Sequence, residues 1–567
     1  MANLSDHDLK QMDDAWQHQQ PEPVVRALLK RTLDDLRVAR DRLNQNSTNS
    51  SRPSGSMPPW QGADGTAKVG LEAVAAQPDS EDDEDEVPGN NAKSNKEKDT
   101  NQTDEASVTK AIVAAEVVPA ASAPKRAGRP LGATGHGRTQ KLTPTKFDYK
   151  YPDICAGCQH HFNPDDPAQA WTAWDTLELH PISTDDTSPH QLGLYIEVTR
   201  HFLMHRLCDC GHTTRAVAWR AQNDCQWEGV DIGEQRLIGP RLAATVVYLS
   251  LRMRLPRRKV QELLLELFGL ELSTALIDQT IKQAARSVDP LQPELMQQLE
   301  EAVLAYADET SWSESKQGLW LWVFLCSHTV LYAIGLRTKD MLNNALGIKF
   351  IGMLMSDGYI AYRSMLNRLR CWAHLQRKLR GVAESTNRGA AQSGQAMLAL
   401  FNSLMESVFE ARKRLKAMPP GIEDDPPGLL PMVTHAQQVM QLKALCEKYR
   451  YARHEALRAI SVEFLNDWEA IMRVLSDPLL PLTNNAAERQ LRHWVIARRT
   501  SYGTRNLVGS NSLALLASII DTCRLRGASV TDLLARAIHA ARLGLPAPAL
   551  PPIPVHLLGR DGALVGM

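Results

Sequence analysis

The sequence predicts a multidomain protein of the mixed α/β class, and three observations lead to this prediction. Apolar, strand-like segments with one helical segment among them occupy residues 302–358. Two pairs of closely spaced cysteines precede these segments, at residues 155–158 and 208–210. Helical patterns fill residues 240–288 and most of the region after residue 359. A chain of 567 residues with 43% hydrophobic content is long enough for several domains with their own cores.

Composition excludes a membrane protein but gives no indication of the partner. The chain has 64 Lys and Arg residues against 65 Asp and Glu residues, a formal net charge of -1. No apolar run approaches the roughly 20 residues that span a bilayer, and the polar N-terminus is not a signal peptide. Nine scattered cysteines, an odd number, favour a reducing cytosol over a disulfide framework. We therefore expect a soluble, cytosolic protein with no membrane partner.

Residues 20–45 predict an N-terminal amphipathic helix. Apolar residues from Val25 to Leu43 recur in steps of four and three, which is a short heptad pattern. Because fewer than three heptads are present, self-association of this helix and packing against its own chain both remain open.

Residues 46–146 predict a disordered, low-complexity linker, because they are rich in polar residues, Ala and Pro and almost free of aromatic residues. Inside this linker, the basic segment Lys125–Thr139 has a Gly-Arg-Pro core. Such a segment can place an arginine in a narrow minor groove of DNA, or it is simply a flexible basic linker.

Residues 147–225 predict a zinc-ribbon-like domain. A structural Zn²⁺ needs four ligands at about 2.0–2.3 Å, and C-x₂-C pairs supply two each. The second pair here is separated by a single residue, which is less usual, so His205 or His212 could replace one cysteine. The predicted Zn²⁺ ligands are Cys155, Cys158, Cys208 and Cys210.

Residues 226–300 predict a helical region that resembles a helix-turn-helix. Helical patterns cover Pro240–Leu255, Arg257–Phe268 and Thr274–Val288. Between the last two, Gly269 is a helix stop and Ser273 an N-cap. An ordinary helical hairpin has the same pattern, so a DNA-binding motif and a hairpin both remain open.

Residues 301–527 predict the catalytic domain, because two acids stand at the ends of strand-like segments. Asp308 closes the first segment in "YADET", and Asp357 follows the fourth in "LMSDGY". Three strands, a helix and a fourth strand, with these two acids, is the order of the ribonuclease-H-like fold. In that fold the central strands are neighbours, so both side chains reach one site. A later helix is expected to supply a third acid, and Glu488 in "NNAAERQLR" is the candidate.

Three convergent carboxylates predict a site for two Mg²⁺ ions. In two-metal catalysis the ions lie about 3.5–4 Å apart and stabilise the attacking and leaving oxygens of a phosphodiester. Mg²⁺ prefers oxygen ligands, so the predicted catalytic residues Asp308, Asp357 and Glu488 are also the predicted ligands. Glu309 competes with Asp308, but neighbours on a strand face opposite ways, so only one can point into the site.

Arginines surround Glu488, which favours a polyanionic substrate, since neutralised phosphates supply most non-specific DNA affinity. On a helix, Arg492 lies one turn after Glu488, although this pair alone could be an ordinary exposed ion pair. The predicted DNA-binding residues of this segment are Arg489, Arg492, Arg498 and Arg499.

The chain as a whole resembles the insertion sequence 66 family of DDE-type transposases. The resemblance depends on "NQNSTNSSRP" after a short helix, the cysteine pairs, "ADETSW", "SDGYIAY" followed by "RCWAHLQRKL", and "TNNAAERQLR" followed by "RRTSYGT". It implies that Asp308, Asp357 and Glu488 are the catalytic triad. The implied reaction nicks the inverted-repeat ends of the element and joins the freed 3′-hydroxyl to target DNA.

The resemblance also implies how the other regions contribute. The helical stretch between Asp357 and Glu488, about residues 380–475, is similar to the insertion domain of several such transposases. The zinc and helical regions are expected to recognise DNA ends. The implied partners are element-end and target DNA, further copies of this chain on that DNA, and two accessory proteins of the same element. The implied location is the cytoplasm, on the bacterial nucleoid.

The segment "RCWAHLQRKLR" carries two further candidates. Cys371 and His374 are three residues apart and share a helix face, a spacing that can hold a metal, but no second ligand pair is evident nearby. We therefore expect a positional role, with His374 near the active site, although a core histidine is the alternative. The residues of this segment expected to face phosphates are Arg377, Lys378 and Arg380.

Residues 528–567 predict a C-terminal helix, Val530–Leu543, and a Pro-rich tail. Two other functions remain open for the whole chain. One is a catalytically inactive, DNA-binding derivative of a transposase, and the other is a ribonuclease-H-like nuclease without strand transfer.

Overall fold

The described part of the chain begins with a long charged helix, α1 (Glu22–Leu43). The computed structural model describes residues 21–43, 140–181, 193–218, 229–230, 236–417 and 427–557. Apart from residues 140 and 141, these belong to one compact unit formed by residues 1–65 and 142–567. Apart from residues 140–146, the predicted linker lies outside the described residues, as does the basic segment Lys125–Thr139.

Helix α1 presents Leu29 and Leu36 of its heptad pattern to solvent. Near its C-terminal end, the Asp41 carboxylate accepts hydrogen bonds from Ser385 Oγ at 2.7 Å and from the backbone N–H of Thr386 at 2.9 Å. The helix therefore contacts a later part of its own chain and keeps an exposed apolar stripe.

A small sheet around a long hairpin precedes the first helical region. Its strands are β1 (Lys146–Lys150), β2 (Ala168–Pro181), β3 (Leu194–Leu207) and β4 (Thr213–Arg215). Strand β3 is central: β2 and β4 pair with it antiparallel and β1 pairs with it parallel. A short parallel pair follows, β5 (Val217–Ala218) and β6 (Gly229–Val230).

The helical region confirms most of the predicted helix bounds. Its helices are α2 (Pro240–Val247), α3 (Arg257–Phe268), α4 (Thr274–Val288) and α5 (Gln292–Glu300). Gly269 ends α3 with φ of 61°, and Ser273 Oγ accepts from the Leu276 N–H at 3.2 Å, as an N-cap does. Only the first predicted helix, Pro240–Leu255, was too long. Helix α2 continues as a π-helical turn, but this turn ends at Arg252.

A five-stranded mixed sheet forms the centre of the fold. Its elements, with one helix among them, are β7 (Leu304–Glu314), β8 (Gln317–Leu325), β9 (Val330–Gly335), α6 (Lys339–Leu346), β10 (Met353–Ser356) and β11 (Arg368–Arg370). The spatial order is β11-β10-β7-β8-β9. Strands β7, β8 and β9 form an antiparallel meander, whereas β10 runs parallel to both β7 and β11.

Strand β11 corrects the prediction that a helical stretch begins at about residue 359. A 3₁₀ turn at Ile360–Ser364 and then β11 come first. Arg368 donates to Asp467 Oδ1 at 2.6 Å, and buried Arg370 pairs with the other oxygen of the same carboxylate. The strand is therefore stabilised by a residue about a hundred positions away, which no local pattern reveals.

A helical segment with its own core follows β11. Its helices are α7 (Trp372–Ala383), α8 (Arg388–Ala417), α9 (Pro431–Thr434), α10 (Ala436–Tyr449), α11 (Glu455–Asn466) and α12 (Trp468–Ser476). At its centre, the Phe401 ring packs against Trp372 in a tilted arrangement and against Phe464 edge-on, with ring centroids 4.6 and 5.6 Å apart.

Three helices complete the described chain, namely α13 (Asn485–Ser501), α14 (Leu507–Leu525) and α15 (Val530–Leu543), the last with its predicted bounds. Helix α14 covers β9: Ser518 Oγ accepts from the Tyr332 N–H at 2.8 Å and Thr522 Oγ1 from the Val330 N–H at 3.0 Å. Side chains of α14 thereby supply hydrogen-bond partners for backbone N–H groups at the edge of the sheet. In the described residues, no helix is long and apolar enough to cross a membrane.

Candidate active site

Asp308 and Asp357 lie side by side at the middle of the five-stranded sheet. Strands β7 and β10 are parallel neighbours, and Met355 pairs with Tyr306. Continuing this register by two residues places Asp357, just beyond the end of β10, beside Asp308 on β7. Asp308 lies in the middle of β7 and not at its end as predicted, because β7 continues its pairing with β8 to Glu314. Parallel pairing thus brings together two acids that are far apart in sequence, as the order of strands predicted.

Glu488 reaches the same region from the first turn of α13. Its backbone N–H donates to Asn484 O at 3.1 Å, and Asn484 Nδ2 donates to Ala307 O at 2.8 Å, immediately before Asp308. The start of this helix is therefore bonded to the strand that carries Asp308.

The acids lie close enough for their negative charges to interact. Burial raises the pKa of Asp308 well above its usual range, and the negative charges of Asp357, Glu309 and Glu488 raise it further. The buried Glu488 Oε1 has no hydrogen-bond partner. Crowded carboxylates, one of them with an oxygen that accepts no hydrogen bond, are what a hard cation such as Mg²⁺ would stabilise, so these residues fit that group.

The three acids do not, however, converge as tightly as ligands of one ion. Their ligand atoms do not all lie within 4.8 Å of one another. A pair of ions about 3.5–4 Å apart would allow a wider spread than a single ion would.

A different group of side chains does meet at Glu488. Cys371, His374 and Glu488 offer ligand atoms within 4.8 Å of one another. His374 Nδ1 lies 3.2 Å from Cys371 Sγ and 3.6 Å from Glu488 Oε1, and Arg377 Nη2 lies 3.9 Å from that oxygen. Burial and then the charges of Arg377 and Lys378 lower the pKa of His374 to about 3, so its imidazole is neutral at physiological pH. His374 thus lies beside the predicted site, at the start of α7.

Glu309 has a separate environment. Its Oε1 accepts from Arg337 Nε at 2.9 Å, and its other oxygen accepts from the Tyr362 hydroxyl group. The Arg337 guanidinium lies between the rings of Trp320 and Tyr359, at 4.2 and 3.7 Å from their centroids. This carboxylate already has its own cation, which favours Asp308 over Glu309 as the metal ligand.

The predicted DNA-binding residues of α13 differ in how exposed their side chains are. Arg489 and Arg492 are exposed on α13, as is Arg499, whereas Arg498 donates to Thr310 Oγ1 at 3.1 Å and Ser311 Oγ at 2.8 Å on β7. Arg498 therefore helps to fix α13 to the sheet.

The basic residues of α7 also have partners inside the protein. Lys378 Nζ lies 2.9 and 2.8 Å from the two oxygens of Glu463 on α11, which also pairs with Arg370. Burial raises the pKa of Glu463, but Lys378 and Arg370 outweigh it and the net pKa is lowered. Arg377 approaches Glu488, and Arg380 is half-buried. Lys378 is therefore part of an ion network inside the protein, together with Glu463 and Arg370.

The four predicted zinc ligands come together. Cys155 Sγ lies 3.7 Å from Cys210 Sγ, Cys158 Sγ lies 3.6 Å from Cys208 Sγ, and all four sulfurs are within 4.8 Å of one another. A tetrahedral Zn²⁺ with bonds of about 2.3 Å separates its sulfurs by about 3.8 Å, so this set fits Zn²⁺. Neither His205 nor His212 belongs to the group.

Sequence reasoning missed the role of Asn484, which is buried and joins α13 to β7. The motif "TNNAAERQLR" contains it, and an asparagine just before a helix ordinarily suggests an N-cap. Its side chain does not cap the helix, so the pattern gave no indication of its actual partner.

Comparison with known sequences defines the class of this domain. Residues 235–512 match the family described as "Transposase IS66 family", a region that contains the five-stranded sheet and all three acids. The class is that of DDE transposases. Residues 235–512 of this chain therefore belong to the insertion sequence 66 family of transposases.

Similar curated proteins from Sinorhizobium fredii (strain NBRC 101917 / NGR234) have no characterised activity. The uncharacterized protein y4qI is 23% identical over 308 residues, which cover 49% of this chain and 55% of the relative. The uncharacterized proteins y4jD and y4jO are 25% and 26% identical over 34% and 33% of this chain, and 39% and 51% of their own lengths. The chain thus spans about half the length, or less, of these curated relatives.

Proposed function

We propose that this chain is a metal-dependent DNA transposase whose five-stranded sheet is a ribonuclease-H-like core. The strand order supports the core: numbered from β7, it is 5-4-1-2-3, with the first three strands antiparallel and the fourth parallel to the first. The observation that carries the proposal is the register that aligns Asp357 with Asp308, together with the bond from Asn484 to Ala307 that brings α13 to the same strand.

In this proposal Asp308, Asp357 and Glu488 hold two Mg²⁺ ions, which supply the charge that activates a nucleophilic oxygen and stabilises the leaving oxygen. The protein positions these carboxylates and excludes Glu309, whose charge Arg337 already neutralises. The same site then serves two steps: hydrolytic nicking at an element end and attack of the 3′-hydroxyl on target DNA.

DNA contact in this proposal comes chiefly from exposed basic residues beside the acids. Arg489 and Arg492 are exposed on the helix that carries Glu488, which suits contact with phosphates. Arg499 is exposed on the last turn of the same helix. Lys378 and Arg498, which have partners inside the protein, would reach DNA only by leaving them, so we assign them to positioning.

The other predicted regions complete the proposal. The four-cysteine group would hold a structural Zn²⁺, and its domain with α2–α4 would recognise the element ends. The helical segment α7–α12 would be the insertion domain of the catalytic core. The chain would act on DNA with further copies of itself and with accessory proteins of the same element, in the bacterial cytoplasm on the nucleoid.

The test uses labelled DNA carrying the inverted repeat that flanks the gene, target DNA and Mg²⁺. Joined products are expected from the wild type, and Asp308→Ala and Glu488→Gln are each expected to abolish cutting and joining while DNA binding persists. Asp340→Asn removes an exposed acid outside the group and is the matched control, with full activity. Cut but unjoined DNA would instead indicate a nuclease, and binding alone an inactive derivative. Loss of DNA binding in the acid variants would contradict the assigned roles.

A further inference from the structure

Two buried polar residues, Cys371 and Asn484, lie between the segments that carry the three acids. Both are completely buried, with 0% exposure. Each stands immediately before a helix, Cys371 before α7 and Asn484 before α13, yet neither side chain caps its own helix. The Asn484 amide nitrogen and the Cys371 sulfur are hydrogen-bonded elsewhere, whereas Asn484 Oδ1 is buried without a hydrogen-bond partner.

Their hydrogen bonds reach the backbone next to each acid. The Cys371 N–H donates to Ser356 O at 3.0 Å, directly before Asp357. Asn484 Nδ2 donates to Ala307 O at 2.8 Å, directly before Asp308.

The two residues are also bonded to each other and to the third acid. The Asn484 N–H donates to Cys371 Sγ at 3.3 Å, and Asn484 O accepts from the Glu488 N–H at 3.1 Å. One connected set of hydrogen bonds therefore joins the middle of β7, the end of β10 and the start of α13.

We propose that Cys371 and Asn484 are positioning residues that hold Asp308, Asp357 and Glu488 in one arrangement before DNA binds. This inference rests on the proposed function, because it concerns the same metal site. It has a consequence that the proposed function alone does not require: divalent cations bind the protein in the absence of DNA.

The experiment measures Mn²⁺ binding to the zinc-loaded, DNA-free, full-length protein by the loss of the free Mn²⁺ signal in electron paramagnetic resonance. We expect the wild type to bind Mn²⁺ and Asp308→Ala to lose this binding. Asn484→Ala and Cys371→Ala are expected to weaken it about 10–100-fold, which is typical when a residue that orients a metal ligand is removed. Cys371→Ser keeps an acceptor for the Asn484 N–H, so it is expected to restore part of the affinity lost in Cys371→Ala.

Asn485→Ala is the matched control, because Asn485 is the exposed next residue at the start of the same helix. It is expected to bind Mn²⁺ as the wild type does. Circular dichroism at the assay temperature separates a folded variant with weak affinity from an unfolded one. If an alanine variant unfolds, Asn484→Leu and Cys371→Ser are compared instead: Asn484→Leu has a side chain of similar size but no donor to Ala307 O, so it should still weaken binding.

Each outcome tests a different claim. If Asp308→Ala binds Mn²⁺ like the wild type, the metal site of the proposed function is wrong. If Asp308→Ala loses Mn²⁺ but the folded Asn484 and Cys371 variants keep wild-type affinity, the positioning inference is wrong and the proposed function stands. If the wild type binds Mn²⁺ only with DNA present, the acids are not held ready in the free protein, and the inference is again wrong.

Discussion

Asp521 is the residue whose removal should most clearly loosen the helix that carries Glu488. It lies on α14, with 2% exposure, and its Oδ2 accepts from the Tyr332 hydroxyl group at 2.8 Å and from Trp494 Nε1 at 3.0 Å. Arg524 Nη1 donates to its other oxygen at 3.2 Å. Asp521 therefore joins β9, α13 and α14 in the core of the sheet domain.

The expected cost of Asp521→Ala follows from these partners. The variant leaves two buried donors short of an acceptor: Trp494 Nε1 loses its partner, at about 1–3 kcal/mol, whereas the Tyr332 hydroxyl group keeps only Gln490 O, 3.2 Å away. It also leaves a small cavity, so we expect a total loss of about 2–4 kcal/mol in the free energy of local opening. Asp521→Asn keeps one acceptor oxygen in place and should lose only about 1–2 kcal/mol, since the pairing with arginine is weakened.

Hydrogen exchange of the peptides covering α13 and β9 measures this cost, because it reports local opening even where a large chain unfolds in several steps. Asp532→Ala is the control: this exposed acid pairs with Arg536 at 3.0 Å, and such pairs contribute at most about 1 kcal/mol. A loss below about 1 kcal/mol in Asp521→Ala would refute the reasoning, because the two donors would then have found other partners.

Three further predictions follow from the charges and thiols. Folding lowers the pKa of Glu463, so its ion pairs stabilise the protein above the ordinary pKa of 4.5 and the effect is lost as pH falls through the lower folded value. Urea denaturation should therefore show Glu463→Gln as less stable than wild type at pH 7, and the difference should shrink below about pH 4.5; a constant difference would contradict this. Replacing both Arg489 and Arg492 by Ala should lower the slope of log DNA affinity against log salt by about two, measured by fluorescence anisotropy, and an unchanged slope would exclude phosphate contacts. Cys208→Ser should lower bound zinc, measured by mass spectrometry of the native protein, well below one ion per chain, and full occupancy would show that another ligand substitutes.

Local chemistry explains which elements could be predicted from the sequence. Helices α3, α4 and α15 have the predicted bounds, because their ends are marked by residues whose role is local. Gly269 and Gly544 end their helices with φ of 61° and 69°, and Ser273 caps its helix with its side chain. Such signals depend only on a few neighbouring residues, so the sequence contains them in full.

The parts that could not be predicted depend on distant partners. Strand β11 has three residues, two of them arginines, which is too short for a recognisable strand pattern. These arginines pair with Glu463 on α11 and with Asp467, which lies between α11 and α12. Lys378 looked like a phosphate ligand because its neighbours are basic, but Glu463 is its partner. The acids Asp308 and Asp357 were easier to predict, because strand order alone makes their positions neighbours.

The way α7–α12 joins the sheet explains how so long a segment can separate Asp357 from Glu488 in sequence without separating them in space. At its start, the Trp372 N–H donates to Leu482 O, beyond the end of the segment, at 2.8 Å. Trp372 Nε1 donates to Ile471 O on α12 at 2.9 Å, and this indole is itself buried in the core of the segment. The start and the end of the helical segment are therefore hydrogen-bonded to each other. The positions of the acids are thus fixed where the chain leaves the sheet domain and where it returns to it. Changes in the middle of the segment can then alter its outer surface without changing the acids, whereas changes at Trp372 should affect both.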